Sequence, residues 1–178
     1  GSIVPTPSKY SVGAKSPLTG VIGFGISSGY FGAELKRAGY DGIVFRGKAK
    51  HLSYVFIDDD VVKIVDCRDI AGKTTWETET LIKEKYNDES VRVASIGISG
   101  EKLNKMACIT NARNRQVGRS GMGAVMGSKN LKAVAVRGSG SIQVHDLPKL
   151  LEFCNELNKR CQTGLTEKYR KYGTPANV

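Results

Sequence analysis

The sequence predicts an α+β domain of duplicated helix–turn–strand units around a pseudo-two-fold, with mostly antiparallel sheets. Two observations carry this. Gly32-Ala-Glu-Leu-Lys-Arg-Ala-Gly-Tyr-Asp-Gly-Ile-Val-Phe-Arg-Gly47 aligns with Gly123-Ala-Val-Met-Gly-Ser-Lys-Asn-Leu-Lys-Ala-Val-Ala-Val-Arg-Gly138 at a constant offset of 91, sharing its Gly-Ala start and Arg-Gly end. Each copy reads as helix, tight turn and strand. Elsewhere, short β-branched runs bounded by turn residues alternate with a few helix-length stretches. Residues 1–140 are expected to form one domain, and residues 141–178 a helix and a connector.

In chain order, Tyr10–Ala14 reads as a strand, Lys15–Gly20 as a turn, and Val21–Gly25 as extended chain with alternating glycines that admit a close neighbour. Ser27-Ser-Gly-Tyr30 opens a helix through Ala38 with a serine as N-cap, and Gly39 ends it. Gly42–Arg46 is a strand. Leu52–Ile57 and Val61–Val65 form a hairpin around Asp58-Asp-Asp60, where three acids suit a solvated turn better than a metal site. Thr74-Thr-Trp-Glu77 is a capping box for a helix to Tyr86. Val91–Ile96 is a strand, Ile98–Gly100 a loop, and Lys129–Arg137 a turn and strand. Asp146 caps a helix over Leu147–Arg160, and Thr163–Val178 leads out of the domain.

Composition narrows the functional classes. The net charge of +10 comes from the second half, because residues 1–89 hold 12 basic and 12 acidic residues while residues 90–178 hold 15 and 5. Between Lys102 and His145 there are eight Lys or Arg and no acid, a block that attracts polyanions. Residues 87–152 contain no Phe, Tyr or Trp, so this block offers no platform on which bases stack, and nucleic acid is a poorer fit than a phosphate-bearing small ligand. Cys67, Cys108, Cys154 and Cys161 form no C-x-x-C pair, which gives no zinc or iron–sulfur pattern and suggests a reducing cytoplasm. No run is apolar enough to span a membrane, and Gly1-Ser2 has the form of a cleavage scar.

The basic half centres on Asn111–Gly138, a glycine-dense stretch with four arginines and two lysines. Glycines let backbone N–H groups approach a ligand, a helix starting near Ser120 or Gly121 would aim free N–H groups at it, and arginines supply charged forks. That describes an anion cradle. The same residues also suit tight helix–strand packing with a solvated basic face. The Gly127-Ser-Lys129 order excludes a Walker loop, and Gly121-x-Gly123 lacks the third glycine of a dinucleotide fingerprint. The repeat would make Ser27–Gly29 and Gly118–Ser120 paired mouths on one polyanion.

Lys15-Ser-Pro-Leu-Thr-Gly20, Ser28-Gly-Tyr-Phe-Gly-Ala-Glu-Leu-Lys36, Ala38-Gly-Tyr-Asp41, Arg46-Gly-Lys-Ala49, Ala94-Ser-Ile-Gly97, Gly100-Glu101 and Gly118-Arg-Ser-Gly-Met-Gly-Ala-Val-Met-Gly-Ser-Lys-Asn-Leu-Lys-Ala133 closely resemble the N-terminal domain of tungsten-containing aldehyde ferredoxin oxidoreductases. The likeness runs from Pro5 to Gly138, and Tyr172-Gly-Thr174 resembles the start of that family's second domain. The resemblance implies a base on which a bis-pyranopterin tungsten (or molybdenum) cofactor sits, its phosphates bridged by magnesium. By position, Arg119 and Lys9 would contact the cofactor, the backbones of Ser27, Ser28 and Gly29 and of Gly118, Ser120 and Gly121 would donate to phosphate, and the Val117 carbonyl would ligate magnesium. Arg113 and Arg115 rank below these. Ile26 departs from the family, occupying a place where an asparagine can serve the magnesium, and isoleucine has no ligating atom.

The resemblance also implies that the domain's first part and the cysteines of a [4Fe–4S] cluster lie outside these residues. His51 and His145 match no functional position. The complete enzyme would oxidise aldehydes to carboxylic acids and pass electrons to ferredoxin, with the remaining domains and a possible homo-oligomer as partners. This stretch alone would not be catalytic. The rival readings are a stand-alone basic module for nucleic acid or another polyanion, a nucleotide-binding enzyme, and a family member with a different substrate.

Overall fold

The computed structural model describes residues 3–5 and 8–177. The chain divides into two compact units, one holding Ser8–Ser141 and the other Ile142–Val178.

The first unit begins with an antiparallel hairpin, β1 (Lys9–Lys15) and β2 (Ile22–Ser28), in which Lys9 pairs with Ser28 and Lys15 with Ile22. Its turn is held by Ser16, whose hydroxyl accepts from the Leu18 and Thr19 N–H groups. Helix α1 (Phe31–Arg37) follows. A six-stranded sheet has the order β4-β3-β8-β5-β6-β7, made of β3 (Ser53–Asp58), β4 (Val61–Asp66), β5 (Arg92–Ser95), β6 (Ile109–Asn111), β7 (Arg115–Val117) and β8 (Leu131–Arg137). Every pair in it is antiparallel except β3 with β8. The helices between are α2 (Thr75–Tyr86), α3 (Ile98–Glu101) and α4 (Met122–Ser128).

Strand alternation divides the core into two layers. Tyr54, Phe56, Val93, Ala133 and Ala135 face Ile82 of α2, while Val55, Ile57, Ala94, Val134 and Val136 join Phe31 and Leu35 of α1 and Met122 and Met126 of α4. Burial on both faces explains why β8 reads as an apolar run apart from Lys132 and the terminal Arg137. The capping box forms as expected, with the Thr74 N–H donating to Glu77 Oε2 (2.8 Å) and the Glu77 N–H to Thr74 Oγ1 (3.2 Å). At the 58–60 turn, Asp59 accepts from both the N–H and the hydroxyl of Ser139 at 2.7 Å, so it serves a neighbouring loop.

Three expectations are corrected. Gly42–Arg46 is extended, with Ile43 and Phe45 against the core and Val44 exposed, but it joins no strand ladder among the described residues. Ser27 and Ser28 end β2, and α1 starts after Tyr30 without a side-chain cap. Ile98–Glu101 is helical where a loop was expected, and Gly127 brings α4 so close that a Cβ there would stand 2.0 Å from the Gly100 carbonyl oxygen. The β6–β7 hairpin was not foreseen.

In the second unit, Asp146 caps α5 (Leu147–Arg160) by accepting from the Lys149 N–H at 3.0 Å. The expected connector is largely helical, with α6 (Glu167–Tyr172) between short 3₁₀ turns. All four cysteines are free thiols. No helix among the described residues is long and apolar enough to cross a membrane.

Candidate cofactor cradle

The alternating glycines of β2 have a direct reason. A Cβ on Gly23 would stand 2.6 Å from Ser120 Cβ, and one on Gly25 would stand 2.5 Å from Val117 Cγ1. Only glycine lets β2 lie directly on the 117–120 loop. The opposite parity faces solvent, with Ile22, Phe24 and Ile26 exposed at 88%, 65% and 53%. By register, Lys15, Gly13, Ser11 and Lys9 share that face.

Beside this row lies an open concavity of about 680 Å³, walled by Ile22–Ile26, Gln116, Gly118, Arg119 and Ser120. The Ser120 hydroxyl donates to the Phe24 carbonyl at 3.3 Å, tying loop to strand. Arg119 is exposed and has no acidic partner among the described residues. A guanidinium held on a loop without a carboxylate is ready for an anion.

Of the residues singled out in the sequence, Gly118, Arg119 and Ser120 therefore meet at one surface. Others do not line it. Gly121, in the left-handed region at φ +67°, packs under Lys105 and Pro17. The start of α4 is partly satisfied internally, because the Gly123 N–H donates to the Ala107 carbonyl at 2.9 Å. Val117 is fully buried and pairs with Ile109. Lys9 and Ser28 face each other at the far end of the hairpin.

Ser27 and Gly29 belong to a separate network. Asn111 Nδ2 donates to Tyr10 Oη (2.8 Å) and Ser27 Oγ (2.9 Å), and the Ser27 hydroxyl donates to the Ser28 carbonyl at 3.3 Å. Burial pushes the Tyr10 phenol up to about 12, against the opposing hydrogen bonds from Ser27 and Asn111. Gly29 has φ +99°, and a Cβ there would meet Asn111 Oδ1 at 2.6 Å. These residues hold β1, β2 and the β6–β7 hairpin together, so the two glycine turns do not open as paired mouths on one cavity.

Gln116 is the residue missed from the sequence. The alternation of β7 turns Val117 inward and leaves Gln116 exposed at the concavity, but the signal is invisible until the three-residue strand is known. Gln116 and Ser120 are the lining residues with side-chain oxygen. No cluster of three His, Cys, Asp or Glu able to hold a metal exists among the described residues.

Arg113 is tied to α2. Its N–H donates to Glu79 (3.2 Å), its carbonyl accepts from Trp76 Nε1 (2.8 Å), and its guanidinium lies over the Trp76 ring. Two of the eight basic residues in the 102–145 block are paired with acids, the buried Lys132 with Glu101 and the partly exposed Arg137 with Asp58 and Asp88. That leaves a smaller and more local positive surface than the sequence suggests.

Comparison with known proteins agrees with this architecture. The chain is 48% identical over 156 residues to a tungsten-containing aldehyde ferredoxin oxidoreductase of Pyrococcus horikoshii and 50% identical over 151 residues to that of Pyrococcus furiosus, covering 88% and 85% of this chain. It is 39% identical over 182 residues to the WOR-like subunit of an aliphatic sulfonate oxidoreductase of Pyrococcus furiosus, covering 94% of this chain. Among solved structures, a chain of the active-site complex BamBC of benzoyl coenzyme A reductase superposes with a TM-score of 0.87 at 37% identity, over 90% of this chain and 24% of that one. The chain spans about a quarter of the length of the two aldehyde oxidoreductases, 26% and 25%. The sequence model for the aldehyde ferredoxin oxidoreductase N-terminal domain matches residues 1–138, and with the shared mixed fold this places the chain in that family.

Proposed function

We propose that this chain is the cofactor-binding base of a tungsten- or molybdenum-pterin oxidoreductase that oxidises aldehydes to carboxylic acids with ferredoxin as electron acceptor. The observation that carries the reading is the exposed, acid-free Arg119 beside the concavity where β2 lies on the 117–120 loop. Next to it, the Ile22–Phe24–Ile26 row offers an apolar seat for a flat ring system, with Lys15 and Lys9 on the same face. These residues fit an anionic group with a planar body. They fit magnesium less well, since Ile26 offers no oxygen and Val117 is buried against Ile109; the side-chain oxygens of Gln116 and Ser120 are the ones left at the concavity to hold it.

The metal–pterin group supplies the redox chemistry when bound, with onward transfer through a [4Fe–4S] cluster held by the remaining domains. Residues of this chain bind, orient and neutralise charge. Arg119 would hold the group's anionic end beside the Gly118 backbone, and the exposed outer face of β2 would seat its planar body. Lys9 reaches the same group from the other end of the hairpin, with the backbone of Ser28 opposite it.

Arg119→Ala in the full-length protein tests the assignment. Tungsten or molybdenum per chain, read by elemental analysis, is expected to fall several-fold while the folded fraction stays constant. Unchanged metal content refutes the role. The basic-module alternative predicts instead binding to nucleic acid that weakens steeply with salt.

A further inference from the structure

Two buried side-chain atoms have no hydrogen-bond partner among the described residues, Arg92 Nε and Asn111 Oδ1. The first is a donor and the second an acceptor. The sheet aims them to one side. Ala94 of β5 pairs with Asn111 of β6 and packs in the core layer with α1, and Arg92 shares the face of Ala94. Both residues line a cavity of about 230 Å³, together with Tyr30, Glu79 and Arg113. None of these five lines the concavity at Arg119.

The Asn111 amide cannot be turned round. Its Nδ2 donates to the Arg115 carbonyl at 3.4 Å as well as to Tyr10 and Ser27, and a carbonyl only accepts. Oδ1 is thereby left for another donor, on a residue that is 1% exposed. Arg92 keeps its guanidinium over the Tyr30 ring, 5.4 Å from the centroid, with one terminal nitrogen donating to the Glu89 carbonyl at 3.4 Å. Charge is unbalanced around this space. Neither Arg92 nor Arg113 pairs with a carboxylate among the described residues, while Glu79 is held by Lys83 at 3.2 Å. Water would answer the two orphan atoms but not the two guanidinium charges.

We infer that this cavity binds a small oxyanion that keeps a hydroxyl, of the hydrogen phosphate or hydrogen carbonate kind. Its O–H donates to Asn111 Oδ1, and its charged oxygens accept from Arg92 and Arg113. The amide oxygen makes the site selective. Sulfate, which has no proton to give at neutral pH, sets a lone pair against Oδ1 and leaves it unpaired.

Isothermal titration of the full-length, metal-free polypeptide in an Arg119→Ala background tests this with the cradle silenced, and so separately from the metal-content assay. Inorganic phosphate, bicarbonate and sulfate are titrated in turn at neutral pH. One saturable site per chain is expected for phosphate or bicarbonate, the tighter of the two being the occupant, with sulfate about 10-fold or more weaker. Arg92→Lys keeps the charge but removes the Nε donor, and should weaken binding about 10-fold or more. Asn111→Asp replaces the acceptor amide by a carboxylate and should abolish it; if that variant does not fold, the comparison with sulfate still decides the role of Oδ1. Equal affinity for sulfate and phosphate overturns the inference. So does affinity unmoved by Arg92→Lys, or the lack of saturable binding of either protonated ion, which would assign the two atoms to water.

Discussion

Lys132, without exposed surface near the start of β8, donates to the carboxylate of Glu101 at the end of α3 and, at 2.8 Å, to the carbonyl of Lys73. One buried ammonium thereby joins the sheet, α3 and the entry to α2. Glu101 also accepts from the Gly72 N–H at 2.9 Å, which draws the same loop inward.

Removing the carboxylate leaves that charge buried without its counter-ion. Glu101→Ala is expected to destabilise the domain by about 3–5 kcal/mol, read as a lower urea midpoint. Replacing both partners, Glu101→Gln with Lys132→Met, should cost less than the single change, because no uncompensated charge remains.

The glycines of β2 make a steric prediction. Gly25→Ala drives a methyl into Val117 Cγ1 at 2.5 Å and should cost about 1–3 kcal/mol by overpacking. Gly13→Ala, on β1, meets nothing nearer than the Gly23 carbonyl at 3.8 Å and should stay within about 0.5 kcal/mol of the parent in the same denaturation measurement.

The Tyr10 phenol sets an alkaline limit. Its pKa rises from 10.0 unfolded to about 12 folded, so the folded state holds the proton more tightly. Its contribution is complete below about pH 10 and is lost as pH rises toward 12. Urea midpoints at pH 9 and 11 should therefore fall less in Tyr10→Phe than in the parent. Some slope will remain, since burial also raises Tyr54 and Tyr86.

Thr74→Ala should cost about 1 kcal/mol by removing the cap of α2. The Glu77 carboxyl lies below its ordinary range because it accepts from the Thr74 N–H and hydroxyl. That contribution is present above the unfolded carboxylate pKa and fades as pH falls through the folded one. Circular dichroism across that acid range should show a shallower loss in the variant.

Sequence reading was strongest where local chemistry decides structure. The Thr74–Glu77 box and the Asp146 cap each satisfy backbone groups within a few residues, and their helices appear as expected, as does the hairpin around Asp58–Asp60. It failed where a partner distant in sequence decides. Ser27 looks like a helix cap but is claimed by Asn111, 84 residues away. The β6–β7 turn carries left-handed Ala112 (φ 45°) and Arg113 (φ 63°), residues that do not advertise such a turn. Arg119 was legible as charge on a glycine-rich loop. Gln116 was not, because its direction depends on the register of β7 against β6.

Strand β8 comes last in its sheet along the chain but stands in the middle of it. Until it arrives, β3–β4 and β5–β6–β7 are separate ribbons sharing no hydrogen bonds. On a ribosome releasing the chain from its N-terminus, both ribbons must wait with one side bare until residue 137 has cleared the exit tunnel, and only then do the halves meet. Insertion of this single strand is thus the step that turns two local structures into one cooperative domain, and substitutions that slow it will lengthen the interval in which bare strand edges are open to aggregation.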